Sequence, residues 1–196
     1  MAHTMRSPTQ DNPESALARR RRASQHLFEL VLCAMFGSLM FASKVIMAML
    51  PNIHLLGLLI VTLTVVFRWK ALISIYIYVL LDGLLTAGFA PWWWPYLYIW
   101  TILWGVTMLL PKHMPRMVAC VVYTMVSALH GLFFGVLYAP FQALIYNLGW
   151  EGMLAWIASG IGFDFLHFLG NLGAGMFIMP VVELLRRLMR QFSRGV

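Results

Sequence analysis

Residues 19–50 read RRRRASQHLFELVLCAMFGSLMFASKVIMAML, in which four arginines precede an apolar run. A transmembrane helix needs about 20 mostly apolar residues, and residues 27–50 provide them. Lys44 lies inside this run, whereas the other Lys and Arg residues of the chain lie before, between or after its apolar runs. This distribution predicts an all-α polytopic membrane protein. A cation at membrane depth is costly, so Lys44 is also a candidate functional residue.

The composition argues against a soluble domain. Of the 196 residues, 61% are hydrophobic and 11% are charged, whereas soluble domains contain about 25% charged residues. The net charge of +7 would suggest nucleic acid in a soluble protein, but here the basic residues lie where membrane topology requires them. We therefore expect the lipid bilayer, and no nucleic acid, as a partner. Cys33 and Cys120 form no CxxC pair, so no disulfide framework, metal site or cofactor is expected.

Apolar runs of helical length divide the chain into six expected transmembrane helices. Their ranges are 27–50, 53–67, 71–89, 95–110, 117–146 and 152–185. Arg68 and Lys70 mark the end of the second helix, and Gly135 and Pro140 are expected to break the fifth near its outer end.

Loop charges give an expected orientation. Basic residues occur at Arg19–Arg22, between the second and third helices, between the fourth and fifth, and after the sixth, while the remaining loops have none. Cytoplasmic loops collect Lys and Arg, so both termini are expected inside. The expected organisation is a disordered basic cytoplasmic N-terminus (1–26), a six-helix transmembrane domain (27–185) and a basic cytoplasmic tail (186–196).

An aromatic cluster follows the third helix. Residues 91–96 read PWWWPY, which places Trp92, Trp93, Trp94 and Tyr96 together. Such a cluster is typical of the aromatic belt at a membrane interface. It is also suited to stacking on a flat ligand ring or a cation.

Lys44 and Asp82 lie at similar expected depths, because each precedes the outer end of its helix by six residues. They are expected to pair, either to fix helix packing or as polar contacts for a ligand. Asn52 and His54, at the first outer turn, are further candidate ligand contacts.

The last helix contains Asp164-x-x-His167-x-x-x-Asn171, a spacing that puts all three side chains on one helix face. Gly160, Gly162, Gly170, Gly173 and Gly175 surround them and predict close helix packing. The polar face could bind a ligand or shuttle protons, or it could form interhelical hydrogen bonds, which we favour for His167. The two-His spacing of a helix-borne zinc site is absent, so no metal is expected.

Small residues recur every four positions in the first helix, at Ala34, Ser38 and Ala42. Such a ridge lets another helix approach closely, either inside the bundle or from a separate membrane subunit. No nucleophile elbow and no Walker A motif occur, so we expect no enzymatic activity and no ATPase of its own.

Three stretches resemble the substrate-binding S components of energy-coupling factor (ECF) vitamin transporters. They are AMFGSLMFASK (34–44), LPNIHL (50–55) and FDFLH with the following Gly170-Asn171 (163–171). The resemblance implies a multi-pass protein of the bacterial cytoplasmic membrane that binds a vitamin from outside. It also implies docking, through the ridge Ala34–Ser38–Ala42, on a membrane coupling subunit driven by two cytoplasmic ATPases. Ser38 stands where the family more often has Ala.

The expected substrate is a vitamin, with cobalamin as the first candidate from the overall resemblance. Folate, pantothenate and a queuosine precursor stay open. The rival function is an intramembrane enzyme that uses Asp164 and His167.

Overall fold

The computed structural model describes residues 13–50, 52–86 and 88–195. All regular structure in these residues is helical, which confirms the all-α prediction. The helices are α1 (Pro13–Ile46), α2 (Leu56–Phe67), α3 (Ala71–Leu85), α4 (Tyr96–Leu109), α5 (Arg116–Leu132), α6 (Phe134–Tyr146), α7 (Gly149–Gly175) and α8 (Ile178–Gly195). Helices suit apolar runs because they satisfy every backbone polar group within the segment.

Four helical segments of the described chain are long and apolar enough to cross a membrane. They are Glu14–Ile46, Leu56–Leu85, Arg116–Tyr146 and Gly149–Gly175, while Tyr96–Leu109 is a shorter apolar helix. The first, third and fourth correspond to expected helices. Leu56–Leu85 combines the expected second and third helices in one segment.

The expected break between the second and third helices is present. Helix α2 ends at Phe67, a short 3₁₀ turn covers Arg68–Lys70, and α3 begins at Ala71. Arg68 has φ +56°, a conformation uncommon for a residue with a side chain. At 1.5 Å per residue, the 12-residue α2 is about 18 Å long, shorter than the bilayer's hydrocarbon core of about 30 Å.

Two other boundaries differ from the expected ones. The fifth segment breaks at Phe133, one residue before α6, and Pro140 lies inside α6. The expected helix 152–185 is two helices, because α7 ends at Gly175 and α8 begins at Ile178. The expected tail 186–196 is therefore helical as far as Gly195, as a continuation of α8.

The N-terminal prediction also requires correction. Residues 1–12 lie outside the described part, but α1 already begins at Pro13, so residues 13–26 are helical rather than disordered. Ala, Leu and Arg dominate residues 16–23 and are among the strongest helix formers. They extend the apolar helix in the N-terminal direction.

Several basic side chains, with Lys70, Arg186 and Arg190 lining one cavity, gather at one end of the bundle, which we call the Arg68 end. There Lys70 pairs with Glu29, and the Arg68 guanidinium donates to the Met108 carbonyl at 3.2 Å. The rings of Phe28 in α1 and Phe192 in α8 stack with centroids 3.8 Å apart. The start of the apolar part of α1 and the end of α8 therefore lie together. The opposite end carries residues 88–95 and is called the tryptophan end.

Glycines allow close helix approach at fewer positions than expected. A Cβ atom added to Gly37 would lie 2.8 Å from Ile77 and the Ser74 carbonyl oxygen, which fixes the contact between α1 and α3. Gly175 is similarly tight against Thr124 in α5. Gly160, Gly162 and Gly173 have open space where a Cβ would lie, so they do not serve close packing as predicted.

Candidate functional site

Two neighbouring cavities occupy the tryptophan end. We call the first the His–Trp cavity; its volume is about 320 Å³ and its lining includes Lys44, Asn52, His54, Tyr78, Tyr96, Trp100, Phe134 and His167. The second, the aromatic cleft, has a volume of about 420 Å³ and is lined by Asn52, Trp92, Tyr96, Phe134, Tyr138, Trp156, Phe163 and Asp164, among others. The two share Asn52, Tyr96 and Phe134. Because of these shared residues, the two cavities form one candidate ligand site, which is lined by residues of α1, α2, α3, α4, α6 and α7.

The expected ion pair joins α1 to α3. Lys44 Nζ donates to Asp82 Oδ1 at 2.6 Å, and the Asp82 side chain is fully buried while that of Lys44 is 27% exposed. The same ammonium lies 5.0 Å from the ring centroid of Tyr96 and 5.6 Å from that of Trp92. Lys44 thus sits where the two cavities meet, held by a carboxylate and two aromatic faces.

The three tryptophans have three different environments. Trp92 lines the aromatic cleft, and its backbone carbonyl accepts a hydrogen bond from the Tyr138 hydroxyl. Trp93 is buried, and its Nε1 donates to the Val79 carbonyl at 2.8 Å. Trp94 is 47% exposed. Only Trp92 belongs to the candidate site, so the predicted ligand roles of Trp93 and Trp94 lose their geometric basis.

Six ring-bearing side chains line the His–Trp cavity, and four of them contact one another. The rings of His54 and His167 meet at 4.7 Å and 76°, and Trp100 lies 5.9 Å from His54. Phe134 lies 5.0 Å from His167 and 5.5 Å from Trp100. Edge-on and tilted contacts of this kind hold ring orientations firmly. Asn52 has φ +55°, in the left-handed region where asparagine is enriched. It lines both cavities from the turn before His54.

Several buried polar atoms of this cavity have no hydrogen-bond partner among the described residues. They are His54 Nδ1, Tyr78 Oη, Trp100 Nε1, and both ring nitrogens of His167. The interhelical hydrogen bond that we favoured for His167 is therefore absent. Leaving a buried donor or acceptor unpaired costs about 1–3 kcal/mol, and binding sites are where such groups find partners outside the protein.

His54 lies between α1 and α2, outside the candidate membrane spans. Burial, together with the smaller effect of the nearby positive charge of Lys44, lowers the pKa of its imidazole to about 4. A neutral imidazole offers one donor and one acceptor to the cavity.

Asp164, His167 and Asn171 share one buried face of α7, as predicted. Both oxygens of Asp164 accept from the backbone N–H of Gly135 at 3.1 Å, in the first turn of α6. The carboxylate therefore caps a helix N-terminus that would otherwise have unpaired donors. Asn171 Nδ2 donates to the Ser127 carbonyl at 3.0 Å, and Asn171 lies outside the linings of both cavities. It serves helix packing rather than ligand binding.

The predicted ridge lies on a different face of α1 from the tight contact of Gly37 with α3. Ser38 is exposed, Ala34 and Ala42 are half-buried, and large apolar side chains around them, Met35 and Leu39, are also exposed. The internal close contact of α1 is made by Gly37 instead. The ridge is therefore accessible for packing against lipid or another membrane protein.

Sequence reasoning missed Tyr78, Phe134 and Tyr138 as site residues. Tyr78 precedes Asp82 by four residues on α3, so its position on the same helix face could have been found. Phe134 and Tyr138 share a face of α6 in the same way, but only the tertiary fold brings that face to the cavity.

No group of three or more His, Cys, Asp or Glu within residues 13–50, 52–86 and 88–195 is placed to hold a metal. Comparisons with protein-family models, with curated proteins and with solved structures found no match. The geometry of the cavities is therefore the main basis for a functional proposal.

Proposed function

We propose that the protein is the vitamin-binding S component of an ECF-type importer. The observation that carries this proposal is the pair of joined cavities at one end of an apolar helical bundle, with unpartnered polar atoms on their aromatic walls. Small-molecule sites combine mostly apolar walls with a few polar groups in this way.

The proposed orientation puts the tryptophan end outside and the Arg68 end in the cytoplasm of a bacterial cell. The concentration of Lys and Arg at the Arg68 end supports it. The cavities then face the medium, as an uptake protein requires. In this arrangement α2 and α3 cross separately, which restores six crossings with both termini inside.

Transport needs partners in this proposal. The exposed ridge Ala34–Ser38–Ala42 would dock on a membrane coupling subunit driven by two cytoplasmic ATPases. Its exposure supports docking over internal packing, because the tight internal contact of α1 falls on Gly37.

The identity of the bound vitamin is a more specific proposal. The overall resemblance makes cobalamin the first candidate, with folate, pantothenate and a queuosine precursor as alternatives. Ligand pockets occupy about 300–1,000 Å³, and the His–Trp cavity, at about 320 Å³, is at the low end. A corrin macrocycle with its nucleotide tail would need the cavity and the cleft together, and a widening of both. The volume thus supports the smaller candidates.

The rival enzyme hypothesis has weaker support. Asp164 is engaged by the N-terminus of α6 and does not hydrogen-bond His167. An acid–base pair would need such contact or a single bridging water.

The experiment is an uptake assay in cells that express the protein together with a coupling subunit and its two ATPases. Radiolabelled cobalamin, folate, pantothenate and 7-cyano-7-deazaguanine are supplied in turn. We expect accumulation of one compound that needs both this protein and active ATPases. Failure to accumulate any compound, with a coupling module shown to work with another S component, would contradict the proposal.

A further inference from the structure

We propose that the His–Trp cavity binds an uncharged, planar nitrogen heteroaromatic ring of one or two fused cycles. The edge of this ring forms hydrogen bonds with Tyr78 and Trp100. This inference rests on the proposed function and narrows its substrate class. It assigns the deep cavity, rather than the aromatic loop, as the part of the site that selects the ligand.

The aromatic walls of the cavity favour a flat ligand. Six rings line the cavity, and four of them, His54, Trp100, Phe134 and His167, contact one another with centroids 4.7–5.9 Å apart. Flat faces bury large area against a flat ligand at little cost in side-chain entropy. An acyclic chain would leave much of these faces uncovered.

The polar atoms call for hydrogen-bonding groups on the edge of that ring. The Trp100 indole N–H can only donate, whereas the Tyr78 hydroxyl and a neutral imidazole can both donate and accept. All four residues line the cavity and carry polar atoms without partners among the described residues. Tyr78, Trp100 and His167 are almost fully buried, and His54 is half-buried. A hydrocarbon ring would leave these atoms unpaired. A nitrogen heterocycle with ring nitrogens, amino groups or carbonyl oxygens supplies both kinds of partner.

The charges call for an uncharged ring. The lining contains one formal charge, on Lys44, and that charge is already paired with Asp82 at 2.6 Å. No carboxylate lines the cavity to receive a cationic ring. A charged ring would lose its hydration without compensation, which is expensive in an apolar setting. The Lys44 ammonium has three N–H groups, so it can donate to an oxygen-bearing substituent on the ring while it stays paired with Asp82.

The volume of the cavity limits the size of the ligand ring. A cavity of about 320 Å³ accommodates a bicyclic ring with its substituent directed into the cleft. Among the candidate vitamins, the pterin ring of folate and the deazapurine ring of queuosine precursors have this chemistry. Pantothenate has no ring.

The test uses the full chain purified in detergent, with guanine and lumazine as uncharged bicyclic probes. Thiamine serves as a cationic ring and pantothenate as an acyclic anion. Binding of each is measured by isothermal titration and by the shift in melting temperature, since a ligand that binds the folded state stabilises it. We expect saturable binding of at least one uncharged bicyclic probe, and none of thiamine or pantothenate.

Tyr78→Phe then separates a ligand contact from a structural role. The Tyr78 hydroxyl has no protein partner, so its removal should leave the melting temperature of the unliganded protein unchanged or raised. Affinity for the bicyclic probe should fall about threefold to tenfold, the usual worth of one neutral hydrogen bond. Tyr76→Phe is the matched control, because the Tyr76 hydroxyl lies 2.9 Å from Thr101 Oγ1 and outside both cavities. It should leave affinity unchanged.

The possible outcomes distinguish a failure of this inference from a failure of the proposed function. Binding of thiamine or pantothenate, with affinity reduced by Tyr78→Phe, would overturn the heteroaromatic assignment but keep a vitamin-binding protein. Equal affinity for the bicyclic probe in Tyr78→Phe and in the native protein would overturn the role of Tyr78. If no probe binds and the uptake assay is also negative, both the inference and the proposed function fail.

Discussion

The ion pair between Lys44 and Asp82 allows a quantitative test of the site. In Lys44→Met, the fully buried Asp82 carboxylate loses the one side-chain partner that it has among the described residues. Breaking a buried pair in this way costs about 3–5 kcal/mol, and we expect the lower end because Lys44 is 27% exposed. For a chain of this size each kcal/mol lowers the melting temperature by about 2–4 °C. The expected decrease is therefore roughly 6–12 °C.

The second arm of the cycle removes the carboxylate as well. The double variant Lys44→Met/Asp82→Leu should recover most of the lost stability, because two apolar side chains replace an ion pair at little net cost. Melting temperature and ligand affinity are measured for the native chain, both single variants and the double variant. Lys70→Met is a matched control. It breaks the pair with Glu29 at the Arg68 end. The Glu29 side chain is 28% exposed and that of Lys70 is 14% exposed, so water can reach the carboxylate left behind, the loss of stability should be smaller than in Lys44→Met, and affinity should not change.

Two results would refute this reasoning. If the double variant is as unstable as Lys44→Met, an unpaired carboxylate is not the cause of the loss. If the double variant recovers ligand affinity along with stability, Lys44 serves only to balance Asp82 and is not a ligand contact. We expect recovered stability with affinity still reduced.

Other predictions test the loop, the ridge and the topology. Trp92→Ala should weaken ligand binding by about 0.5–1.5 kcal/mol beyond the lost area in isothermal titration, whereas Trp94→Ala, on an exposed side chain, should have no effect; equal losses would remove Trp92 from the site. Ser38→Trp should abolish uptake in cells while the isolated protein binds ligand normally, because a bulky ring prevents close helix docking; normal uptake would exclude the ridge as the docking surface. In a chain without its native cysteines, a cysteine at position 90 should react with an impermeant reagent from outside and one at position 69 should not, and the reverse pattern would invert the proposed orientation.

The sequence predicted the helical class and the main breaks because these depend on local composition. Arg68 and Lys70 interrupt an apolar run, and a helix end follows directly from that interruption. The Lys44–Asp82 pair was also predictable, since two opposite charges at one depth in an apolar setting have few other partners. These features need no knowledge of which helices are neighbours.

Other features of the site depend on packing that no local pattern reveals. PWWWPY does not specify which tryptophan turns inward; the close contact of Trp93 with Gly83 and Val79 decides it. The hydrogen bond expected for His167 failed because its ring meets His54 and Phe134 rather than a backbone acceptor. The capping role of Asp164 depends on a break at Phe133 in another helix.

The helix boundaries went wrong for a different reason. The predicted helix 152–185 contains two local signals that were not used, Gly175 at the end of α7 and Pro180 in the first turn of α8, because glycine favours helix ends and proline the first turn of a helix. The end coincides with the tight contact of Gly175 on α5. The N-terminal extension was missed because polar composition was taken to mean disorder, although Ala and Arg are strong helix formers.

Native mass spectrometry of the full chain, purified in mild detergent from its own host, tests the central claim most directly. The account predicts one small molecule bound per chain, a nitrogen heterocycle, whose occupancy is lowered by Tyr78→Phe and unchanged in Tyr76→Phe. A protein that carries no small molecule, and that binds none of the vitamins supplied, would contradict the claim that these cavities are a ligand site.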